Sequence, residues 1–184
     1  MLELIHYFTP AIIVCYFILS SIINANYKGF IVVIGICLTI SVSLLVSRFF
    51  TFPKDKQDIC SLISINHISN ISKIPLSIAI YTYVGCYLLY IVGTNNYILP
   101  NIMPIVIFPI IILSELSWLS SHSCFTGNQS LAAIVIGATC GLVWGAIIDT
   151  TKNKNLQYFS GSGDNTCLMP KKQTFKCKTK IQPK

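Results

Sequence analysis

Near the end of the chain, Cys167 and Cys177 bracket LMPKKQTFK, and Lys171, Lys172, Lys176, Lys178 and Lys180 crowd the same stretch. Joined, the two thiols would close a small loop and stabilise it by roughly 2–3 kcal/mol on the loop-entropy account. That bond requires an oxidising compartment or a dedicated redox system that makes disulfides elsewhere; left reduced, the thiols merely punctuate a basic tail. The lysines point to a different chemistry, attraction to anionic lipid headgroups, an acidic protein surface or nucleic acid. QTFKCKTKI alternates strictly. Phe175, Cys177, Thr179 and Ile181 fall on one side and Lys176, Lys178 and Lys180 on the other, the period of a half-buried strand. A lone strand is unstable, so the pattern predicts pairing with a partner sheet or across a hairpin. A solvated tail is the plainer alternative. Beyond Phe175 this stretch offers no aromatic ring for a base to stack on, which disfavours nucleic acid.

Other reactive residue types are sparse. Glu115 is the one acidic residue inside a long apolar run. An intramembrane carboxylate is a candidate proton or ion site. Its place three residues before Trp118, near the end of its run, instead predicts a solvated interfacial position. His6, His67 and His122 are far apart and match no metal-ligand spacing. His122 and Cys124 lie close together, but two ligands do not close a zinc site. FSGSGD at 159–164 is neither G-x-S-x-G nor a P-loop, and reads as a linker. With no nucleophile, base and orienting group in view, the chain is expected to be non-enzymatic, with no metal and no cofactor.

The elements that carry these residues are built for lipid. The 184 residues are 53% hydrophobic and 10% charged, with net charge +7 and mean hydropathy +0.68. A soluble domain carries about 25% charged residues, so this chain has too little polar surface to cover itself in water. The reading is an all-α integral membrane protein with spans near 7–23, 30–46, 75–92, 100–119 and 131–148. A polar loop covers 51–74, and a basic extramembrane tail with a candidate strand covers 149–184. ISINHISNISKI within the loop has the spacing of a short interfacial helix. Glu3 stands where a signal peptide would carry a base and no A-x-A site follows, so the first run is expected to remain as an anchor.

The number of crossings has two readings. Pro100, Pro104 and Pro109 lie in the fourth run, and each removes a backbone donor. If that run crosses, five spans divide the basic residues. Arg48, Lys54, Lys56 and Lys73 then oppose Lys28 and the eight tail lysines. If it dips in and returns, twelve of the thirteen basic residues share one side, as the positive-inside rule favours. The spanning length favours five. The N-x-S triplets at Asn70 and Asn128 share a side only in the five-span reading.

Ala133, Gly137, Gly141 and Gly145 form one narrow stripe on the fifth run. Small residues at this spacing let another helix approach closely. The mate is expected within the chain, on the stripe of Gly35, Thr39, Ser43 and Ser47, or in a second copy, which would give a homo-oligomer. Cys15, Cys37, Cys86 and Cys140 are expected to behave as small buried hydrophobes.

The tail also resembles a short pattern of membrane proteins of large nucleocytoplasmic DNA viruses. The matching residues are Cys167, Pro170, Lys172, Gln173, Thr174, Phe175, Lys176 and Cys177, placed after several spans as in that family. The resemblance covers about 15 residues, and KTKIQPK ends where relatives would run on. It implies a virion inner-membrane or minor capsid-associated protein, residing in a virion internal membrane and in membrane derived from the host endoplasmic reticulum. It further implies a link from that membrane to capsid or core protein, and no catalytic residues.

Overall fold

Long uncharged apolar runs satisfy their backbone polar groups internally by forming helices, the natural state of a chain in lipid. The computed structural model describes residues 2–49, 73–95, 98, 101–122, 124–152 and 156–158. Within these there are five α-helices: α1 (Leu2–Ile23), α2 (Lys28–Phe49), α3 (Leu76–Thr94), α4 (Ile102–Ser121) and α5 (Gly127–Thr150). Four of them, α2 to α5, are long and apolar enough to cross a membrane, and α1 carries a shorter apolar stretch, Phe8–Ile23. At 1.5 Å per residue, the 19 to 24 residues of those four reach about 30 Å, the thickness of the hydrocarbon core. The loop helix expected within 51–74, the linker at 159–164, His67, Asn70 and the lysine-rich tail with its strand pattern lie outside the described residues.

The helices run further than the apolar runs alone indicate. Gln129 explains the early start of α5. Its Oε1 accepts from the Thr126 backbone N–H at 2.7 Å and from the Thr126 hydroxyl at 2.9 Å. This closes the first turn as a capping box does. The α1–α2 connection is tight, with Ala25 at φ 47° and Asn26 N–H bonded to the Ser21 carbonyl at 3.0 Å. The Ser21 hydroxyl then accepts from the backbone N–H groups of Gly29 and Phe30, at 2.7 and 3.2 Å. The first turn of α2 is thereby tied to α1. Helix α4 is continuous through Pro109, while Pro104 falls in its first turn, where backbone donors have no helical partner anyway.

Helices consecutive in the chain alternate in direction. At one end Val46, Ile74, Ile78, Leu119 and Cys124 pack together, and at the other Ser20 lies beside Tyr158. Helix α4 therefore runs back along α3 for most of its length. Helix α3 is the hub, 67% buried over its span, and α4 is peripheral at 11%. The outward faces are apolar, as with Ile12, Leu45, Met103, Leu113 and Leu131. Apolar exposure on that scale suits lipid and not water. Cys15 and Cys37 belong to this outer face, so the expectation that they are buried is corrected, while Cys86 and Cys140 are partly buried. Asn128 is exposed on the first turn of α5.

Candidate functional site

The closest packing lies between α3 and α5. Ala133, Gly137, Gly141 and Gly145 are buried, and the stripe lies directly on α3. A Cβ on Gly137 would collide with the Ala79 carbonyl oxygen, one on Gly141 with the Tyr83 carbonyl oxygen, and one on Gly145 with the Tyr90 ring. The two helices run parallel and touch backbone to backbone. The mate of the stripe is thus α3, not the small-residue stripe of α2. That second stripe is buried too, at Gly35, Thr39, Ser43 and Ser47, and it receives aromatic side chains. The Tyr83 hydroxyl occupies the place of the missing Gly35 Cβ and donates to the Val32 carbonyl at 3.3 Å. Trp144 Nε1 donates to the Ile31 carbonyl at 3.2 Å. Tyr83 stacks on Tyr87, with ring centroids 6.2 Å apart. The middle of the bundle is therefore filled by aromatic rings, of which Tyr83 and Trp144 bond to the backbone of α2.

The polar residue that stands out is Glu115. It is 4% exposed and accepts a 2.8 Å hydrogen bond from the Ser77 hydroxyl. The expected solvated position is corrected: the carboxylate is buried, although it lies near the helix ends, opposite the second residue of α3. Helix α4 continues to Ser121 and turns this side of itself onto the start of α3, which covers the carboxylate. Thr9 and Tyr81 face the same region. The Tyr81 hydroxyl is buried and makes no well-formed hydrogen bond among the described residues. Nothing in the sequence around Glu115 announces Ser77, 38 positions away. Further along the same seam, α3 and α4 part around an apolar crevice of about 60 Å³, lined by Gly85, Cys86, Phe108 and Pro109 among others.

His122 is used locally. Its Nδ1 lies 2.9 Å from the Trp118 carbonyl and its ring packs on the Trp118 ring, centroids 4.6 Å apart. Cys124 is fully buried and disulfide-bonded, so it has no thiolate to give a metal. Among the described residues no three His, Cys, Asp or Glu side chains gather at one point.

At the opposite end, the residues after α5 fold back over the bundle. Gln157 Nε2 donates to Asp149 Oδ1 at 2.9 Å, and its Oε1 accepts from Asn95 Nδ2 at 3.1 Å. The Tyr158 hydroxyl lies 3.4 Å from the Ser20 hydroxyl, and the Tyr158 ring meets the Phe17 ring edge-on at 4.9 Å. Burial pushes the Tyr158 hydroxyl up to about 12, so it stays protonated near neutrality. Leu156, Gln157 and Tyr158 thus clasp α1, α3 and α5, a feature with no periodic signal in the sequence. The tail residues singled out as docking contacts, Lys171, Lys172, Phe175, Lys176, Lys178 and Lys180, and the pair Cys167 and Cys177, lie outside the described residues.

The described residues form an all-helical bundle, with four helices long and apolar enough to cross a membrane and an interior closed by small residues and tyrosine rings. Neither a protein-family model, nor a curated protein, nor a solved structure matches the chain.

Proposed function

We propose that this protein is a non-enzymatic membrane anchor of the structural or assembly kind, in which five crossing helices, α1 among them, present the basic tail to a partner. The observation that carries the reading is the clasp. Gln157 and Tyr158 are held against three helices, so the segment that carries the lysines begins from a held point on a packed bundle. The partner is anionic: a capsid or core protein with an acidic face, or lipid headgroups. The tail's viral resemblance supports a virion internal membrane as the setting. The test replaces Lys171, Lys172, Lys176, Lys178 and Lys180 together with Ala and compares chemical crosslinks in intact membranes. The expected result is loss of the tail's crosslinked partner, with the thermal unfolding of the bundle in detergent unchanged. A partner retained by the substituted tail sinks the docking reading.

A second reading has its own observation in buried Glu115. Intramembrane carboxylates line ion and proton paths, and this one sits on the proline-bearing helix that flanks the crevice. As a small transporter or channel, the protein in liposomes would pass protons or cations, and Glu115→Gln would reduce the flux at least tenfold. Equal flux in the two forms, or none above empty liposomes, rejects it.

A further inference from the structure

Glu115 and the apolar crevice lie on one seam. On α3, Ser77, Tyr81 and Gly85 recur every four residues, and on α4, Phe108, Ile112 and Glu115 recur every three or four, so each set falls on one helix face. The two faces meet. At one end the Ser77 hydroxyl donates to Glu115 Oε1 at 2.8 Å, and further along Gly85 lies beneath the Phe108 side chain. Ile112, one turn from Glu115, lines the crevice together with Gly85, Phe108 and Pro109. From Glu115 to Phe108 is about 10 Å along α4, at about 1.5 Å of rise per residue.

The two ends of this seam differ in chemistry. At the polar end the Tyr81 hydroxyl is wholly buried, faces the region of Glu115 and Thr9, and makes no well-formed hydrogen bond among the described residues. Native proteins leave few buried hydroxyls without a partner, and such a group points to something that binds there. A carboxylate accepts at about four positions, so Glu115 takes a further donor alongside the Ser77 hydroxyl. At the other end, the crevice wall is apolar. Thr82 carries a hydroxyl there, but donates it to the Ile78 carbonyl at 2.7 Å. Water needs two or more polar partners, and that wall does not supply them. A metal ion would use the carboxylate and leave the crevice unused. An acyl chain would use the crevice and leave the carboxylate unused. A cation with an apolar body uses both.

We propose that the α3–α4 seam binds a lipophilic amine, its ammonium between the Glu115 carboxylate and the Tyr81 hydroxyl and its apolar body in the crevice beneath Phe108. An alkylammonium has N–H donors for both oxygens, as a lysine side chain has. It also carries the charge that a carboxylate at membrane depth attracts. The spacing of about 10 Å suits a chain of the length of octylamine. The crevice holds about 60 Å³, so it takes part of that chain, and the rest lies against Leu89, which lines the crevice and is 44% exposed towards lipid. Helix α4 is only 11% buried, so an amine dissolved in the bilayer reaches the seam from the side. The proposal rests on the transporter reading's use of Glu115 as a cation-binding group and names the class of cargo. Binding is measured apart from flux.

The test is photolabelling of the full chain in lipid nanodiscs, with an octylamine analogue that carries a diazirine at the end of its chain. The label should fall on Gly85, Cys86 and Phe108. Unlabelled octylamine should displace it at a concentration at which octanol, equally long and uncharged, does not. Glu115→Gln keeps the side chain's size and its acceptor for Ser77, and should raise the displacing concentration of octylamine at least tenfold. Label spread as heavily over the outward-facing Met103 and Ile110 overturns the proposal. So does octanol that competes as well as the amine, which would make the crevice an acyl-chain groove. Both comparisons use the wild-type chain and stand even if the variant misfolds. An unchanged displacing concentration in a folded Glu115→Gln also overturns it. Flux of protons or metal cations without amine labelling would keep the transporter reading and reject this site. Labelling without flux would keep the site and reject transport.

Discussion

Helix α3 meets α5 and α4 along seams that differ in kind. Against α5 it offers backbone: Gly137 and Gly141 bring the two main chains together, and no side chain could be inserted without moving one of them. Against α4 it offers a hydroxyl to a carboxylate, a buried glycine, Gly85, packed closely beneath the Phe108 side chain, and a crevice beside two prolines. In lipid there is no hydrophobic drive to press helices together, and close packing and hydrogen bonds do the holding. The α3–α5 seam is thus held by shape along its whole length. The α3–α4 seam is held at one end by a polar contact and at Gly85 by the Phe108 side chain, and it opens at the crevice. A part of this molecule that moves is to be sought on α4.

Substitutions can break or sharpen this contrast. The largest effect is expected from Gly141→Leu, which drives a branched side chain into the Tyr83 carbonyl. Overpacking of cores costs about 1–3 kcal/mol where side chains can yield, and here backbone must yield, so a loss of about 3 kcal/mol or more is expected. Unfolding of the detergent-solubilised protein in increasing SDS reads this directly, and a midpoint like that of the wild type would show that the seam is not close-packed. Next comes Ser77→Ala, which removes one donor from a buried carboxylate at a cost of about 1–2 kcal/mol. In the same assay it should shift the midpoint by less than Gly141→Leu. Hydrogen exchange should quicken in α4 while α5 is unchanged; equal quickening in both helices would mean that the two seams are not independent. The smallest effect is expected from Gly93→Ala. No atom lies within 4 Å of the added methyl group, and alanine's better helix propensity should leave stability equal or raise it by up to about 1 kcal/mol. A marked loss there would mean that α3 has a neighbour on that face.

The same contrast shows what could be read from the sequence. The helices were legible because runs of 17 or more uncharged apolar residues have few other ways to satisfy their backbone in lipid. The glycine stripe was legible as a packing face from its four-residue spacing, but its mate was not. Spacing gives a face and not a neighbour, and the choice of α3 over α2 rests on the Tyr83 and Trp144 rings filling the groove at Gly35. The Thr126-x-x-Gln129 cap was present as a local signal and marks the start of α5 four residues before the apolar run begins. Glu115 misled because Trp118 beside it marks an interface in sequence terms. Its burial depends on a helix 38 residues away. The clasp was invisible for the same reason, since Tyr158 and Ser20 are 138 residues apart and share no pattern.

The clasp has a mechanical consequence. A tail joined to the bundle only through α5 would transmit any tug along that one helix axis, and would tend to draw α5 out past α3. Here the load passes first into Tyr158 and Gln157. It is then shared among Phe17 and Ser20 on α1, Asn95 just past the end of α3 and Asp149 on α5. Force applied to the tail is thereby spread across the membrane-facing width of the molecule, and the whole bundle must move through the bilayer before any one helix slips.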